Sequence, residues 1–582
     1  MSNTNRQNAD YKHNYFKWLS SDALSSAEKN ELETIREDEN EIKSRFSSYL
    51  SFGTAGLRGI MKTGMLAMNR HTVAYATQAM AELINNSNRS EDGVVIAYDS
   101  RNNSREFART AASVLAANGV KVYIFDDVRP TPELSFALRH LKCVAGINIT
   151  ASHNPKEYNG YKAYWEDGAQ LPPEHASTVS KVMSELDIFD DVKLADFDKA
   201  VDGKMITVIG KEIDEEYIGA VMAEAVKRDA VSNVAEDLRI VFTPLHGAGY
   251  KLIPEVLRRS GLKQLYVVPE QSKPDGDFPT VSKPNPEFFD VFTLGMKIAE
   301  EVGSDLVIAA DPDADRVGVV ARKKDGSFTT INGNQMGALL LDYIITAYEL
   351  NDSMPKDPYA VKSIVSTELA TKICRAHGVE MFNVLTGFKF IGEVIKNHEK
   401  SGKGSYIFGF EESYGYLKGS YSRDKDAVVA AMLIVEMTAY YKTKNMTLYD
   451  ALEKLWERYG YSYETNQQIE MTGFDSASRM TALMKGLRSE IPNTLGGKRV
   501  KLYGDYLKGI FIDTESGRKS STGLPSSDVL YYALENGDVI VVRPSGTEPK
   551  VKIYYLISST DKEKVTELLE AYQRDMSALT NV

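Results

Sequence analysis

Three aspartates stand at alternate positions in Asp311-Pro-Asp-Ala-Asp-Arg316, directly after the apolar run Asp305–Ala310. In an extended segment, side chains at i, i+2 and i+4 lie on one side, so these carboxylates converge. Alone they would repel one another, and a hard divalent cation resolves that repulsion. The spacing is also that of an EF-hand calcium loop, but the comparison fails further on: Arg316 stands where the turn glycine belongs and Arg322 where the bidentate glutamate belongs. Few ligands are offered and a phosphate oxygen can complete the shell, so magnesium fits better than calcium. Arg316 is then placed to pair with a phosphoryl oxygen.

Three further loops carry unusual residues just after an apolar run. Thr150-Ala-Ser-His-Asn-Pro155 presents a serine in a turn that the proline restricts. It reads as a nucleophile that carries phosphate, or as a plain hydroxyl turn or helix cap. Gly409-Phe-Glu-Glu-Ser-Tyr-Gly415 offers acidic acceptors and a hydroxyl between glycines, suited to sugar hydroxyls or equally to a capped turn. Arg543-Pro-Ser-Gly-Thr-Glu-Pro549, followed by Lys550, combines a guanidinium, two hydroxyls and turn amides. That is a nest for a phosphate, or a tight surface turn. No G-x-x-x-x-G-K-[ST], no G-x-G-x-x-G after a strand, no G-x-S-x-G elbow and no Cys/His cluster with zinc spacing occurs, so ATP is not implied.

The elements that hold these loops alternate between strand and helix. Val94–Tyr98, Val120–Phe125 and Val144–Thr150 read as strands, with helices over Ser104–Asn118 and from Pro132. The pattern returns at Arg239–Leu245, Gln264–Val268 and Asp305–Ala310, with helices near 250–260 and 287–301. It returns again at Tyr359–Ser366 and Tyr406–Phe410. Such spacing implies mostly parallel α/β sheets, whose ligands gather beyond the carboxyl ends of the strands. Val539–Val542, Val551–Ile557 and a helix over Thr560–Met576 suggest a small α+β domain at the end. Ahead of all this, residues 25–46 read as one amphipathic helix: Ser25 and Glu28 form a capping box, and Leu32, Ile35, Ile42 and Phe46 share a face. That face is expected to pack on the first domain.

A chain of 582 residues exceeds one hydrophobic core, so three to five domains are expected. The net charge of −12 excludes general nucleic-acid binding, which needs a basic face, but leaves room for a small anion in a local cluster of cations. The longest apolar run, Ala427–Val435, is too short to span a bilayer, and no signal sequence is evident. The two cysteines, Cys143 and Cys374, read as buried thiols of a reducing compartment. The cytoplasm is the expected location.

Taken together and in this order, the four loops resemble those of the α-D-phosphohexomutase superfamily, over nearly the whole chain. Phe52-Gly-Thr-Ala-Gly-Leu-Arg-Gly59 matches its N-terminal loop, and Arg423-Asp-Lys-Asp-Ala427 and Thr386-Gly-Phe-Lys389 resemble its long phosphoglucomutase branch. The resemblance implies a four-domain, heart-shaped architecture: three related α/β domains and a smaller α+β C-terminal domain around a central cleft. The divisions expected are 1–210, 211–328, 329–465 and 466–582. It implies phosphorylation of Ser152, with one magnesium ion per chain bound by Ser152, Asp311, Asp313 and Asp315. Arg58 and Lys162 match positions near the phosphoserine, with Lys162 ahead of His153 as the general acid/base; a lysine can serve so if neighbouring positive charge lowers its pKa. Lys389, Glu411, Ser413 and Arg423 would hold the sugar, while Arg543, Ser545, Gly546 and Thr547 would clamp the phosphate that is not reacting. The implied reaction exchanges glucose 1-phosphate and glucose 6-phosphate through glucose 1,6-bisphosphate, which also serves as activator. Mannose or pentose phosphates are the alternatives on the same chemistry. A silent scaffold protein would be expected to lose Ser152 or an aspartate of the trio, and none is lost. Sugar phosphates are thus the expected partners, with no nucleic acid, no membrane, and a monomer in preference to a dimer.

Overall fold

The computed structural model describes residues 11–53, 56–471, 476–545 and 550–580. The chain divides into two compact units. One comprises Met1–Arg322, Gly326–Thr330 and Gly415–Thr443; the other comprises Lys323–Asp325, Ile331–Tyr414 and Lys444–Val582.

The first unit holds two mixed sheets. One runs, in spatial order, Leu57–Ile60, Tyr158–Trp165, Ala145–Ile149, Val94–Tyr98, Val122–Phe125 and Ile206–Ile209. The last four strands are parallel, whereas Tyr158–Trp165 lies antiparallel to Ala145–Ile149 and puts Lys162 opposite Asn148. The other sheet carries Leu306–Ala310 parallel to Arg239–Thr243, with Val317–Arg322 antiparallel on its outer side. The loop Asp311–Arg316 is therefore the tip of a hairpin, and Ala314 takes φ 49° to close it. Val94–Tyr98, Ala145–Ile149 and Leu306–Ala310 are buried at every position. Strands covered on both faces read as unbroken apolar runs, which is why the sequence marks them so clearly.

The expected single helix over 25–46 is two helices, Ser26–Thr34 and Glu39–Phe46. The Ser25/Glu28 capping box forms as expected. The break comes at Asp38, which turns extended and caps a new helix by accepting the Glu41 amide. Leu32, Ile35, Ile42 and Phe46 nevertheless all enter the core with Val73, Ile96 and Tyr161, so the bend preserves the apolar face. Each such side chain, fully buried, contributes about 1.5–3 kcal/mol. Ala427–Thr443 is a helix buried almost throughout, and its one interior acid, Glu436, accepts the amides of Val226 and Lys227 at 3.1 and 2.9 Å. Among the described residues no helix is long and apolar enough to cross a membrane.

In the second unit, Glu380–Val384, Pro358–Ser363 and Ser405–Glu411 form parallel pairs. A larger antiparallel sheet follows: Tyr461–Glu470, Lys550–Ser559, Val539–Pro544, Leu530–Leu534 and Lys498–Asp505, backed by the helix Lys562–Thr580. The division expected at 465/466 falls inside the strand Tyr461–Glu470, whose register with Lys550–Ser559 is continuous.

Candidate active site

The serine loop is held by buried polar groups rather than by regular structure. Ser152 takes φ 53°, a left-handed conformation that costs a non-glycine residue about 1–3 kcal/mol. Its amide donates to Thr150 Oγ1 at 2.8 Å, and the Thr150 hydroxyl donates to Asp99 Oδ2 at 2.6 Å. Arg101, which pairs with Asp99 at 3.2 Å, sends its guanidinium into the carbonyls of Ser152, Asn154, Pro155 and Tyr158. Burial pushes the Asp99 carboxyl up, while Arg101, Thr150 and Ser104 oppose that. The strain is thus stored in one place and supported by a clamp.

The clamped hydroxyl faces the three aspartates. Ser152 Oγ donates to Asp311 Oδ2 at 2.9 Å and lies 3.1 Å from His153 Nδ1. Asp311 Oδ1 accepts the amides of Asp315 and Arg316 at 3.1 and 3.0 Å. Asp313 Oδ2 takes the Thr131 hydroxyl at 2.7 Å and the Lys162 ammonium at 2.6 Å. Asp315 Oδ2 lies 3.4 Å from Lys162 and 3.2 Å from Lys425. The remaining oxygens, Oδ1 of Asp313 and of Asp315, are buried with no hydrogen-bond donor. All three residues are buried, and one oxygen of each falls within 4.8 Å of the others. Orphaned carboxylate oxygens so close together fit a divalent cation.

Charge in this pocket is strongly displaced from its ordinary state. Burial, then Asp313 and Asp315, push the Asp311 carboxyl well up. Burial works the same way on Asp313, but Lys162 and Thr131 overcome it and hold that carboxyl well below the usual range. Burial would strip the proton from Lys162; Asp313 and Asp315 outweigh it and raise the ammonium's pKa. This is opposite to the lowering that a lysine base would need, because the nearest charges are acids. His153 goes the other way: burial, with Arg316 and Arg58 nearby, drops its imidazole well below the ordinary value and leaves it neutral.

Arg58 sits on Leu57–Ile60, opposite Gly160, and donates to Asn154 Oδ1 at 3.3 Å. Arg316 is paired with Glu287 at 2.8 Å. Arg423 is 1 % exposed, with its guanidinium on the carbonyls of Ser420 and Ser422. The structure therefore turns Arg423 into its own loop, and the member of that motif that reaches an aspartate of the trio is Lys425.

The second unit gathers the other set. Glu411 Oε1 accepts the Gly387 amide at 2.6 Å, and the Arg543 guanidinium donates to Thr386 Oγ1. Lys389 opens the helix Phe388–Ser401 that begins beside them, and burial lowers its pKa. Ser413 lies in the turn after the strand Ser405–Glu411, while Glu412 is drawn back onto Ser363 at 3.0 Å. The Ser545 amide donates to the Lys550 carbonyl at 2.8 Å. Gly546 and Thr547 lie outside the described residues.

Four models of phosphoglucomutase/phosphomannomutase domains match the chain in order: alpha/beta/alpha domain I over 49–188, domain II over 215–326, domain III over 332–459 and the C-terminal domain over 507–572. The chain belongs to the phosphoglucomutase/phosphomannomutase family. It is an isomerase that acts as an intramolecular phosphotransferase, built on the family's four-domain α/β architecture. A phosphoglucomutase of Staphylococcus saprophyticus is 36% identical over 534 residues, covering 92% of this chain and 95% of that protein. Among solved structures, parafusin (a phosphoglucomutase) from Paramecium in its open form aligns with TM-score 0.67 at 17% identity, over 91% of this chain and 95% of that one. A phosphoglucomutase/phosphomannomutase family protein from Burkholderia thailandensis aligns with TM-score 0.64, also at 17% identity, over 91% and 97%.

Membership of the family directs attention to the loops, but several residues that hold the site lie outside them. Arg101, Asp99, Thr131, Asn148 and Glu287 belong to no motif read from the sequence. Asp99 and Arg101 follow directly on the apolar strand Val94–Tyr98, and a charged pair in that position is the signal that points to them.

Proposed function

We propose that the chain interconverts α-D-glucose 1-phosphate and glucose 6-phosphate through a phosphoserine at Ser152 and a glucose 1,6-bisphosphate intermediate. The observation that carries this reading is the strained Ser152 hydroxyl, clamped by Arg101 and aimed at Asp311 of the trio at 2.9 Å. Asp311, Asp313 and Asp315 would hold one magnesium ion together with a phosphoserine oxygen. When bound, that ion supplies positive charge to the phosphoryl oxygens.

Phosphoryl transfer is governed by positioning and charge, since its transition state is loose. In the first half, a sugar hydroxyl oxygen bonds to the phosphorus of phosphoserine and the bond to Ser152 Oγ breaks. The hydroxyl proton passes to a protein base, and Ser152 Oγ regains a proton. In the second half, Ser152 Oγ takes the other phosphoryl group of the bisphosphate, and the product hydroxyl is reprotonated. Lys162 and His153 are the groups for this proton. His153 is neutral and touches the serine; Lys162 enters protonated and acts first as a cation and a proton donor. Arg58 and Arg316 add positive charge beside the phosphoserine. Glu411, Ser413 and Lys389 bind sugar hydroxyls, and Arg543 and Ser545, with Gly546 and Thr547, bind the unreactive phosphate. The domains divide near 210 and 328 and, since 465 falls inside the strand Tyr461–Glu470, ahead of that strand rather than within it; the buried free thiols of Cys143 and Cys374 support a cytoplasmic enzyme.

The test is a coupled assay of glucose 6-phosphate formed from glucose 1-phosphate, with magnesium and a trace of glucose 1,6-bisphosphate. Mannose 1-phosphate and ribose 1-phosphate run beside it, with Ser152→Ala as control. Glucose turnover that disappears in the variant is the expected result. Faster turnover of mannose or ribose phosphate overturns the substrate, and activity that survives in Ser152→Ala overturns the nucleophile.

A further inference from the structure

Thr131 opens the helix Thr131–His140, directly after Pro130. Its amide donates to the Asp313 carbonyl oxygen at 2.8 Å, and its hydroxyl donates to Asp313 Oδ2 at 2.7 Å. Behind it, Asn148 Nδ2 donates to Thr131 Oγ1 at 2.7 Å. Both side chains are fully buried. Asn148 stands on Ala145–Ile149 in register with Lys162, so the helix start and the sheet deliver two donors to one oxygen, Asp313 Oδ2.

The direction of this chain of bonds is fixed by its end. A reversed Asn148 amide would turn its carbonyl oxygen towards Thr131 and take the hydroxyl proton. The threonine lone pairs would then face a carboxylate oxygen at 2.7 Å, which is repulsive. With Asn148 as donor, the hydroxyl has one place to send its proton, and that is Asp313. Oδ2 is thereby saturated, while Oδ1 of the same group is buried without a donor.

We infer that the Asn148–Thr131 pair positions Asp313 so that Oδ1 alone is offered to a metal ion, and that Thr131 is a positioning residue for the selection of magnesium. This rests on the reading of the aspartate trio as a magnesium site. Single-oxygen ligation suits the strict octahedral shell of magnesium, whereas a carboxylate free to turn can give both oxygens to the larger, more tolerant calcium ion. Partners behind a metal ligand typically change affinity about 10–100-fold when removed.

Calorimetric titration of magnesium, and separately of calcium, into the unphosphorylated enzyme tests this without reference to turnover. Thr131→Val keeps the shape and loses the donor: magnesium affinity should fall about 10–100-fold while calcium affinity changes less than about threefold. Thr131→Ser keeps the donor and should bind magnesium within about threefold of the parent. Magnesium affinity unchanged in Thr131→Val, or both cations weakened equally, overturns the inference. Should the valine variant fail to fold, Thr131→Ala, which removes the same donor in a smaller side chain, must show the same preferential loss of magnesium. Asp313→Asn separates the two levels. If it binds magnesium as well as the parent does, the metal site itself is wrong and the inference falls with it; if it loses magnesium while Thr131→Val does not, only the inference falls.

Discussion

Replacing Arg101 by methionine should release the serine loop while leaving the sheet beneath it intact. Methionine keeps the volume of the arginine stem but removes every hydrogen bond to the carbonyls of Ser152, Asn154, Pro155 and Tyr158. It also strands Asp99, fully buried, with only the hydroxyls of Thr150 and Ser104 and the Arg101 backbone amide as donors. Breaking one side of a buried ion pair costs about 3–5 kcal/mol. Burial already pushes the Asp99 carboxyl up, so it can take a proton and shed part of that cost. The lower figure, about 3 kcal/mol, is therefore the better guide, and it corresponds to roughly 150-fold faster exchange if the loop opens locally. Hydrogen exchange followed by mass spectrometry on peptides covering 150–160 reads this directly. The amides of Thr150, Ser152 and Asn154, bonded to Gly160, Thr150 and Ala151, are the reporters. Peptides over Val94–Tyr98 should exchange nearly as before. Exchange of the loop within threefold of the parent would refute the argument that Arg101 supports the strained serine, and equal acceleration of the strand would show a global rather than a local clamp.

Gly56→Ala should be strongly destabilising, by about 2–4 kcal/mol, because its φ is +109° and an added Cβ would lie 1.8 Å from the Tyr161 carbonyl oxygen; a thermal midpoint within about 1 °C of the parent (about 1 kcal/mol or less for a unit of this size) contradicts this. His153→Gln and Lys162→Ala separate the two proton carriers: if the neutral imidazole is the base, His153→Gln should lower kcat roughly 100-fold or more. Near-normal kcat in that variant, with a deep loss in Lys162→Ala, returns the role to lysine. Glu28 gives a pH signature far from the site. Its pKa falls from 4.5 to about 2 because the Ser25 hydroxyl, Arg70, the Ser25 amide and His71 outweigh burial, which alone would raise it. The unfolded glutamate binds a proton first, so this stability is present above about pH 4.5 and is lost as pH falls through about 2; discounted for solvent screening it amounts to about 1–2 kcal/mol. Thermal midpoints from pH 7 to pH 2.5 should fall more steeply for the parent than for Glu28→Gln, and parallel curves would remove Glu28 from the account.

Much of this was legible before any fold was known, and the reason is local. Short unbroken apolar runs such as Val94–Tyr98 and Leu306–Ala310, set between helical patterns, read as buried strands, and a loop rich in acids or hydroxyls at their carboxyl ends marks the functional face. The Ser25/Glu28 capping box is likewise a property of four consecutive residues. What the sequence concealed depends on distant partners. The break at Asp38 was hidden because Ile42 and Phe46 continue the apolar face of Leu32 and Ile35 across the bend. Thr131 looks like any helix start after a proline; its work shows only when Asp313, 182 residues along the chain, is seen against it. Arg423 illustrates the converse. Its motif is conspicuous, yet in the fold the arginine binds its own loop and Lys425 faces the trio.

The buried charge of the trio explains why Lys162 is held protonated. Four carboxylates, those of Asp311, Asp313, Asp315 and Asp424, contact or adjoin two ammonium groups, Lys162 and Lys425. Four negative charges against two positive ones leave two negative charges, the complement of one divalent ion. Arg316 with Glu287, and Arg101 with Asp99, are pairs that cancel internally; Arg58, on Asn154 of the serine loop, adds one positive charge outside this group of six. A buried excess of this size is too costly to persist as such, and the carboxyl of Asp311, pushed well up, is where a proton would relieve it. Asp311 is also the residue that accepts the Ser152 hydroxyl. The same carboxyl therefore stands where proton and nucleophile meet and where a cation could bind, so that charge brought to the trio would be felt first at Ser152, the proposed carrier of the phosphate.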